Sequence, residues 1–240
     1  MDTRFWGPDG WRLLHCIALG YPENPTLKDK EIYSDFFINL KYILPCVYCR
    51  NSFTEYTDEL NINNYLNSKH DIFYWLYLIH NKVNDKLRGQ GLISYPDPTY
   101  EDVYNHYCNY YKEILNNNCS LFDGWNFIYC IYYNYPDNNK DLNELPQERK
   151  TAYVKFLLLL SYVFPFKKII NVIQSVINKY QNDLDNIFLS RDKLVKLIYD
   201  IESSVKEETS SKCISYNKRC SLISEHKVGC KNNTCRLTKH

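Results

Sequence analysis

Asp9-Gly-Trp-Arg-Leu-Leu-His-Cys-Ile-Ala-Leu-Gly-Tyr-Pro22 is written again, without a gap, as Asp123-Gly-Trp-Asn-Phe-Ile-Tyr-Cys-Ile-Tyr-Tyr-Asn-Tyr-Pro136. In both stretches apolar residues recur at three- and four-residue steps, the period of a helix with one buried face. Pro22 and Pro25 stop the first helix, because proline cannot continue one. The echo goes on more loosely, with Phe36 to Pro45 mirrored by Phe156 to Pro165. The second copy has lost particular residues: Tyr129 stands for His15, and Phe166 stands where Cys46 would be. The chain reads as a helical unit followed by a degenerate duplicate that keeps packing residues and has lost its chemistry. Coincidence in a Tyr- and Asn-rich sequence is the rival reading.

The other periodic segments, Tyr33 to Tyr42, Ile72 to Leu87 and Tyr100 to Leu115, are helical too. Pro45 opens a new segment, and Gly89, Gly91, Pro96 and Pro98 break the chain after Leu87. β-branched alternation is nearly absent, so the expected fold class is all-α. The expected units are a helical bundle at 1–115, a second helical block at 120–206 and a Cys-rich polar tail at 207–240. Asn116-Asn117-Asn118 is the linker between the blocks. The tail has few residues with which to bury a core and is expected to be mobile unless crosslinked or metal-bound.

With 240 residues, 45% hydrophobic and 24% charged, the chain has the composition of an ordinary globular protein. A net charge of +1 supplies no broad field for nucleic acid or an anionic membrane, so neither is an expected partner. Phe156 to Phe166 is the most apolar run and is too short to span a bilayer. Met1-Asp-Thr-Arg-Phe-Trp6 has no basic region followed by an apolar core, so no secretory signal is read there. The skew towards Asn, Lys, Ile and Tyr reflects AT-rich codons, a property of the source genome. Ten cysteines without a secretory signal point to metal or redox chemistry, or to a protein that itself makes disulfides.

Cys46 and Cys49 form a C-x-x-C motif behind Pro45. On a helix both sulfurs share one face within disulfide reach. Amides at a helix N-terminus stabilise a thiolate. Taken alone, the pair is equally a redox dithiol or something blander, half a zinc site or inert cysteines. Trp11 and His15, four apart, share a helix face and can sandwich a flat ring. By themselves they are better read as a core tryptophan beside a hydrogen-bonded histidine. His80, Asn84 and Leu87 share a face of a later helix, with Asn81 and Val83 adjacent. Trp75, Leu76, Ile79 and Val83 mark that helix as buried, so its imidazole and amides need a polar partner. A flavin or its ribityl chain supplies one, and Lys86 is suited to neutralise a pyrophosphate.

Three segments together carry a specific resemblance. They are Trp11-x-x-Leu14-His15-x-x-Ala18-x-x-Tyr21-Pro22, Pro45-Cys46-x-x-Cys49, and Trp75-Leu76-x-x-x-His80-Asn81-x-Val83-Asn84-x-Lys86-Leu87. In order and separation they resemble the Erv/ALR sulfhydryl oxidase family over roughly residues 5 to 110. The composition and the appended block resemble a member from a large DNA virus. The resemblance implies a four-helix bundle with a short fifth helix that holds FAD. It implies that Cys49 is the flavin-proximal sulfur and Cys46 the sulfur attacked by incoming thiols. Trp11, His15, His80, Asn81, Val83, Asn84 and Lys86 would hold the cofactor, with Trp6 and Gly7 at its edge. The family's further disulfide is not matched, because Tyr77 falls near its expected first cysteine; Cys108 and Cys119 are candidates for a different one.

The implied activity is oxidation of protein thiols to disulfides, with electrons passed through FAD to dioxygen and hydrogen peroxide as product. The tail pair Cys230 and Cys235 suits a mobile shuttle, and Cys213 and Cys220 offer a second pair. The rival for the tail is a zinc knot with His226 as a spare ligand. The implied setting is the host cytoplasm at viral assembly sites, and the virion. A homodimer is expected, since homodimerisation is the family's habit; the alternatives are that the second block occupies that face within one chain or recruits substrates. The competing function is a Cys-rich, zinc-stabilised helical interaction protein without oxidase activity.

Overall fold

The computed structural model describes residues 1–137, 139–228 and 235. Twelve α-helices and two short 3-10 helices (Ile62–Tyr65 and Gln181–Asp183) account for the regular structure among them: α1 (Thr3–Leu19), α2 (Leu27–Ile43), α3 (Val47–Glu59), α4 (Lys69–Gly89), α5 (Tyr100–Asn116), α6 (Trp125–Tyr133), α7 (Asn139–Glu144), α8 (Gln147–Val163), α9 (Lys167–Lys179), α10 (Leu184–Ile187), α11 (Arg191–Glu208) and α12 (Tyr216–Glu225). No strand occurs among the described residues, so the all-α expectation holds. No described helix is long and apolar enough to cross a membrane.

Local chemistry sets the helix starts. Thr26 caps α2 through a reciprocal box with Asp29, and Ser68, Thr99, Ser190 and Ser215 each accept a backbone N–H of the helix that follows. After α5, Asn118 and Cys119 take φ of 52° and 61° and reverse the chain. Asparagine tolerates that left-handed conformation more easily than cysteine does.

The second set of helices follows the first in order. α6 packs on α11 as α1 packs on α4, and α8 on α9 as α2 on α3. The two sets then meet through their leading helices, α1 on α6 and, most extensively, α2 on α8. Phe36 of α2 stacks on Phe156 of α8 with ring centres 5.5 Å apart. The buried Asn39 amide donates to Ala152 O at 2.7 Å. Arg12 reaches both Asp9 (3.2 Å) and Asp123 (2.7 Å), the first residues of the two repeated stretches. One apolar core runs through both sets.

The tail, expected to be mobile unless crosslinked, carries a disulfide-bonded Cys235. It contributes α12, where Ile223 is buried and Arg219 binds Glu202. Ile223, that ion pair, the stack of His226 on Phe5 and backbone bonds from Asp2 and Thr3 hold a segment whose composition reads as polar. Cys108 and Cys119, candidates for a crosslink, are both free thiols. Cys108 lies on α5 close to Tyr104, whereas Cys119 packs into the core beyond that helix.

Candidate functional site

The dithiol sits where Pro45 ends the run from α2 and α3 begins. Cys46 is the N-cap of α3, and its sulfur accepts the Cys49 backbone N–H at 3.3 Å. Both cysteines are free thiols in this structure. The Cys46 thiol is lowered to about 7, first by a hydrogen bond from the Cys49 thiol and then, against the cost of burial, by the Cys49 and Tyr48 amides. Cys49 is pushed up, because its neighbour's sulfur holds its proton and burial adds to that. Lys86 and Arg50 act in the opposite direction. The first thiolate of the pair therefore belongs to Cys46.

Both sulfurs line a cavity of about 170 Å³ whose wall also includes Trp6, Gly7, Trp11, Val83 and Lys86. Cys46 is 1% exposed, while Cys49 is half-buried. The Met1 amine donates to Pro45 O at 3.3 Å, which lays the start of α1 across the start of α3.

On the far side of Trp11 the character changes. His80 stacks on the Trp11 indole, with ring centres 3.8 Å apart and an interplanar angle of 12°. His15 stacks on Tyr107 at 4.1 Å and lies 6.1 Å from Trp11. His80, Asn81 and Asn84 line a second cavity of about 350 Å³ with Tyr77, His106 and Tyr107. Trp6, Gly7, Trp11, Val83 and Lys86 thus line the first space and His80, Asn81 and Asn84 the second, while His15 packs behind Tyr107 and His80 of the second wall. Burial holds His80 near 4, with Asp97 acting in opposition, and it holds His15 well below 6.5, helped by His80 and His106. Both imidazoles are neutral at physiological pH.

Lys86 and Asn84 have partners that the sequence reading did not assign. The Lys86 ammonium donates to Ser52 Oγ at 2.7 Å on the dithiol side, away from the amide-lined cavity. The Asn84 amide donates to Asp97 Oδ1 at 2.7 Å. The reading also missed wall residues brought from a distance. Phe127 of α6 closes the dithiol cavity, and a Cβ added at Gly10 would meet its ring at 3.0 Å. Tyr107 comes from α5. Apolar periodicity marks Phe127 as buried but cannot say against what.

The residues fit a flat, polar-edged cofactor. His15 is fully buried with neither ring nitrogen hydrogen-bonded, an expensive state for a polar group without a partner. A Cβ at Gly7 would meet nothing within 4 Å, so that wall leaves open space.

The tail motifs separate. Cys235 is buried and disulfide-bonded, and its carbonyl accepts the Thr3 N–H at 2.9 Å. Cys230 lies outside the described residues. Cys213 and Cys220 are free thiols. No group of three or more His, Cys, Asp or Glu side chains suited to a metal occurs among the described residues. His226 stacks on Phe5 at 3.8 Å.

A helical bundle with a dithiol at a helix N-terminus, opening onto a cleft between a Trp/His helix and a His/Asn helix, defines a class of redox proteins. The Erv1 / Alr family model matches residues 8–101. A protein of Acanthamoeba polyphaga mimivirus named "Probable FAD-linked sulfhydryl oxidase" is 37% identical over 98 residues, 40% of this chain and 68% of that relative. An FAD-linked sulfhydryl oxidase of African swine fever virus is 32% identical over 99 residues, 41% of this chain and 79% of the relative. The mitochondrial FAD-linked sulfhydryl oxidase of Saccharomyces cerevisiae is 36% identical over 87 residues, 36% of this chain and 45% of the relative. No solved structure matches. The chain belongs to the Erv1/Alr family.

Proposed function

We propose that this chain is an FAD-dependent thiol oxidase that introduces disulfides into protein substrates. One observation carries the reading: Cys46 and Cys49 open onto the same cavity as Trp6, Gly7, Trp11 and Lys86. In the oxidised enzyme a substrate thiolate attacks the Cys46 sulfur. The Cys46–Cys49 bond breaks, and Cys49 leaves with its electron pair. A second substrate thiolate then attacks the first substrate sulfur and releases Cys46, so the substrate loses two electrons and the pair gains them. A thiol of low pKa leaves faster, and once Cys49 has taken up a proton from solvent its thiol, with the Cys49 and Tyr48 amides, supplies that property to Cys46. FAD, when bound, takes up the two electrons and supplies the chemistry by which dioxygen becomes hydrogen peroxide.

The protein's part is to hold and to exclude. Trp6, Gly7, Trp11, Val83 and Lys86 would surround the dithiol side of the cofactor, and His80, Asn81 and Asn84 its polar extension. The buried, unpartnered His15 supplies hydrogen-bonding capacity without charge. Lys86 keeps positive charge beside Cys49. The tail's docking at Thr3, itself a cavity residue, supports a Cys230/Cys235 relay to the dithiol. The cover of α6 and α8 over α1 and α2 supports a duplicated chain paired within itself; a homodimer of the full chain would use another face. The viral relatives support a role in infected cells; cytoplasmic assembly sites and the virion are the setting we propose.

The test is the visible spectrum of the purified protein before and after anaerobic dithiol. A flavin spectrum that bleaches and returns with air, and that no longer bleaches in Cys49→Ala, is the expected result. A colourless protein that takes up no added FAD overturns the reading.

A further inference from the structure

We infer that Arg50 and Arg149 form a carboxylate-binding site beside Cys46, so that the preferred substrates carry acidic residues next to the reactive cysteine. The inference rests on the thiol-oxidase reading and adds a substrate class to it. Arg50 follows Cys49 in the chain, whereas Arg149 arrives from α8 of the second block. Arg50 Nη1 donates to Leu44 O at 2.7 Å, and Arg149 Nε donates to Tyr42 O at 3.0 Å. Both carbonyls lie at the end of α2, just ahead of Pro45 and Cys46. Two guanidiniums from distant parts of the chain thus converge on the segment that delivers the attacked sulfur.

Capping the C-terminus of α2 is the simpler role for each cation. It uses one hydrogen bond from each guanidinium, which has five N–H donors. Among the described residues neither arginine has a carboxylate partner. They also act against each other: burial first, and then the charge of Arg149, lowers the Arg50 pKa. A cap needs only one cation, and the second adds repulsion that an incoming anion would relieve. Behind them lies Tyr153, fully buried, whose hydroxyl is turned towards Asn134 and Arg149 and feels both guanidinium charges. Val47, between the two cysteines, is 39% exposed and gives the substrate backbone an apolar footing. Cys46 is nearly closed to solvent, so a substrate must be held at the surface while its thiolate displaces the cover. A carboxylate on the two half-buried guanidiniums supplies that hold through charge-assisted hydrogen bonds.

Two synthetic dithiol peptides, identical except for Asp or Lys beside the cysteines, test the site. Oxidation is followed as kcat/KM in the flavin-loaded enzyme, and binding as fluorescence anisotropy of dye-labelled peptides with Ser in place of Cys. The acidic peptide is expected to be favoured about tenfold in both, on the order of one charge-assisted hydrogen bond. Arg149→Gln brings the two peptides towards parity, and Arg149→Glu reverses the preference. Should either variant fail to fold, salt titration of the unmodified protein reads the same contact, with the acidic preference shrinking as salt rises. Equal handling of the two peptides, or an acidic preference that survives Arg149→Gln, overturns the site. Dithiothreitol left unoxidised by the unmodified enzyme overturns the oxidase reading instead, and anisotropy still judges the site.

Discussion

Arg219 grips Glu202 from α12, with Nε donating to Oε2 at 3.1 Å and Nη2 to Oε1, and Glu202 stands on α11 where His80 stands on α4. The register is counted from the serines that cap the two helices, Ser68 and Ser190. In the first block His80 and His15 lie 5.8 Å apart. In the second, Tyr129, the counterpart of His15, donates its hydroxyl to Glu202 at 2.7 Å, and the Arg219 guanidinium lies over the Tyr129 ring. The place that holds two neutral imidazoles beside a cavity in one block holds a filled ion pair in the other.

That contrast predicts a stability role without a redox one. Glu202 is 1% exposed, so Arg219→Met strands a buried charge and is expected to cost about 3–5 kcal/mol, read from urea midpoints. Oxidation of dithiothreitol should continue. A loss below about 1 kcal/mol would mean that the pair behaves as an exposed surface bridge.

The dithiol predicts a titration. In the reduced protein, ultraviolet thiolate absorbance should rise with an apparent pKa of about 7, assigned to Cys46. The largest cause is the hydrogen bond from the Cys49 thiol, so Cys49→Ala should move the transition upward, towards the ordinary thiol range. A transition unchanged in Cys49→Ala would transfer the effect to the amides of α3.

Acid stability depends on two opposing groups. His80 titrates near 4 when folded and near 6.5 when unfolded. Its contribution is complete above pH 6.5 and is lost as pH falls from there towards 4, because the unfolded chain binds the proton more readily. His15 acts in the same direction. Asp9 is raised to about 6, by burial first and then by the charge of Asp123, with Arg12 opposing. The folded chain binds that proton more readily, so this contribution grows as pH falls from 6 towards 3.8. Asp9→Asn removes only the compensating slope and should steepen the acid loss of stability between pH 6 and 4. Urea midpoints across that range check it, and a shallower loss in the variant would contradict the assignment.

The parts of this site that the sequence reveals are local ones. Cys46 and Cys49 are three residues apart, Trp11 and His15 four, and helical geometry alone places each pair on one face. Phe127, Tyr107 and Arg149 reach the site through packing of helices far apart in the chain, and none of them carries a local mark that distinguishes it from ordinary core or surface residues. Lys86 is legible as a cation of the His80 helix. Its direction is set by Ser52, a partner on α3 that no spacing predicts. α12 was hidden by composition, since a single buried Ile223 and the Arg219 pair anchor it.

The pairing of the two blocks predicts an oligomeric state. α2 buries Phe36 against Phe156 and satisfies Asn39 with Ala152 O, while α1 lies under α6. The full chain should therefore run as a monomer in light scattering coupled to size exclusion. A chain ending at Asn117 exposes that apolar face and strands the Asn39 amide, and exposed apolar faces of this kind drive association. It should dimerise or aggregate, with Phe36→Ser reducing the association. Phe156→Ala in the full chain removes one ring of the stack and should cost about 3–5 kcal/mol. A full-length dimer that dissociates on mutation of α1 or α2 surface residues would show that α6 and α8 do not occupy this face in solution.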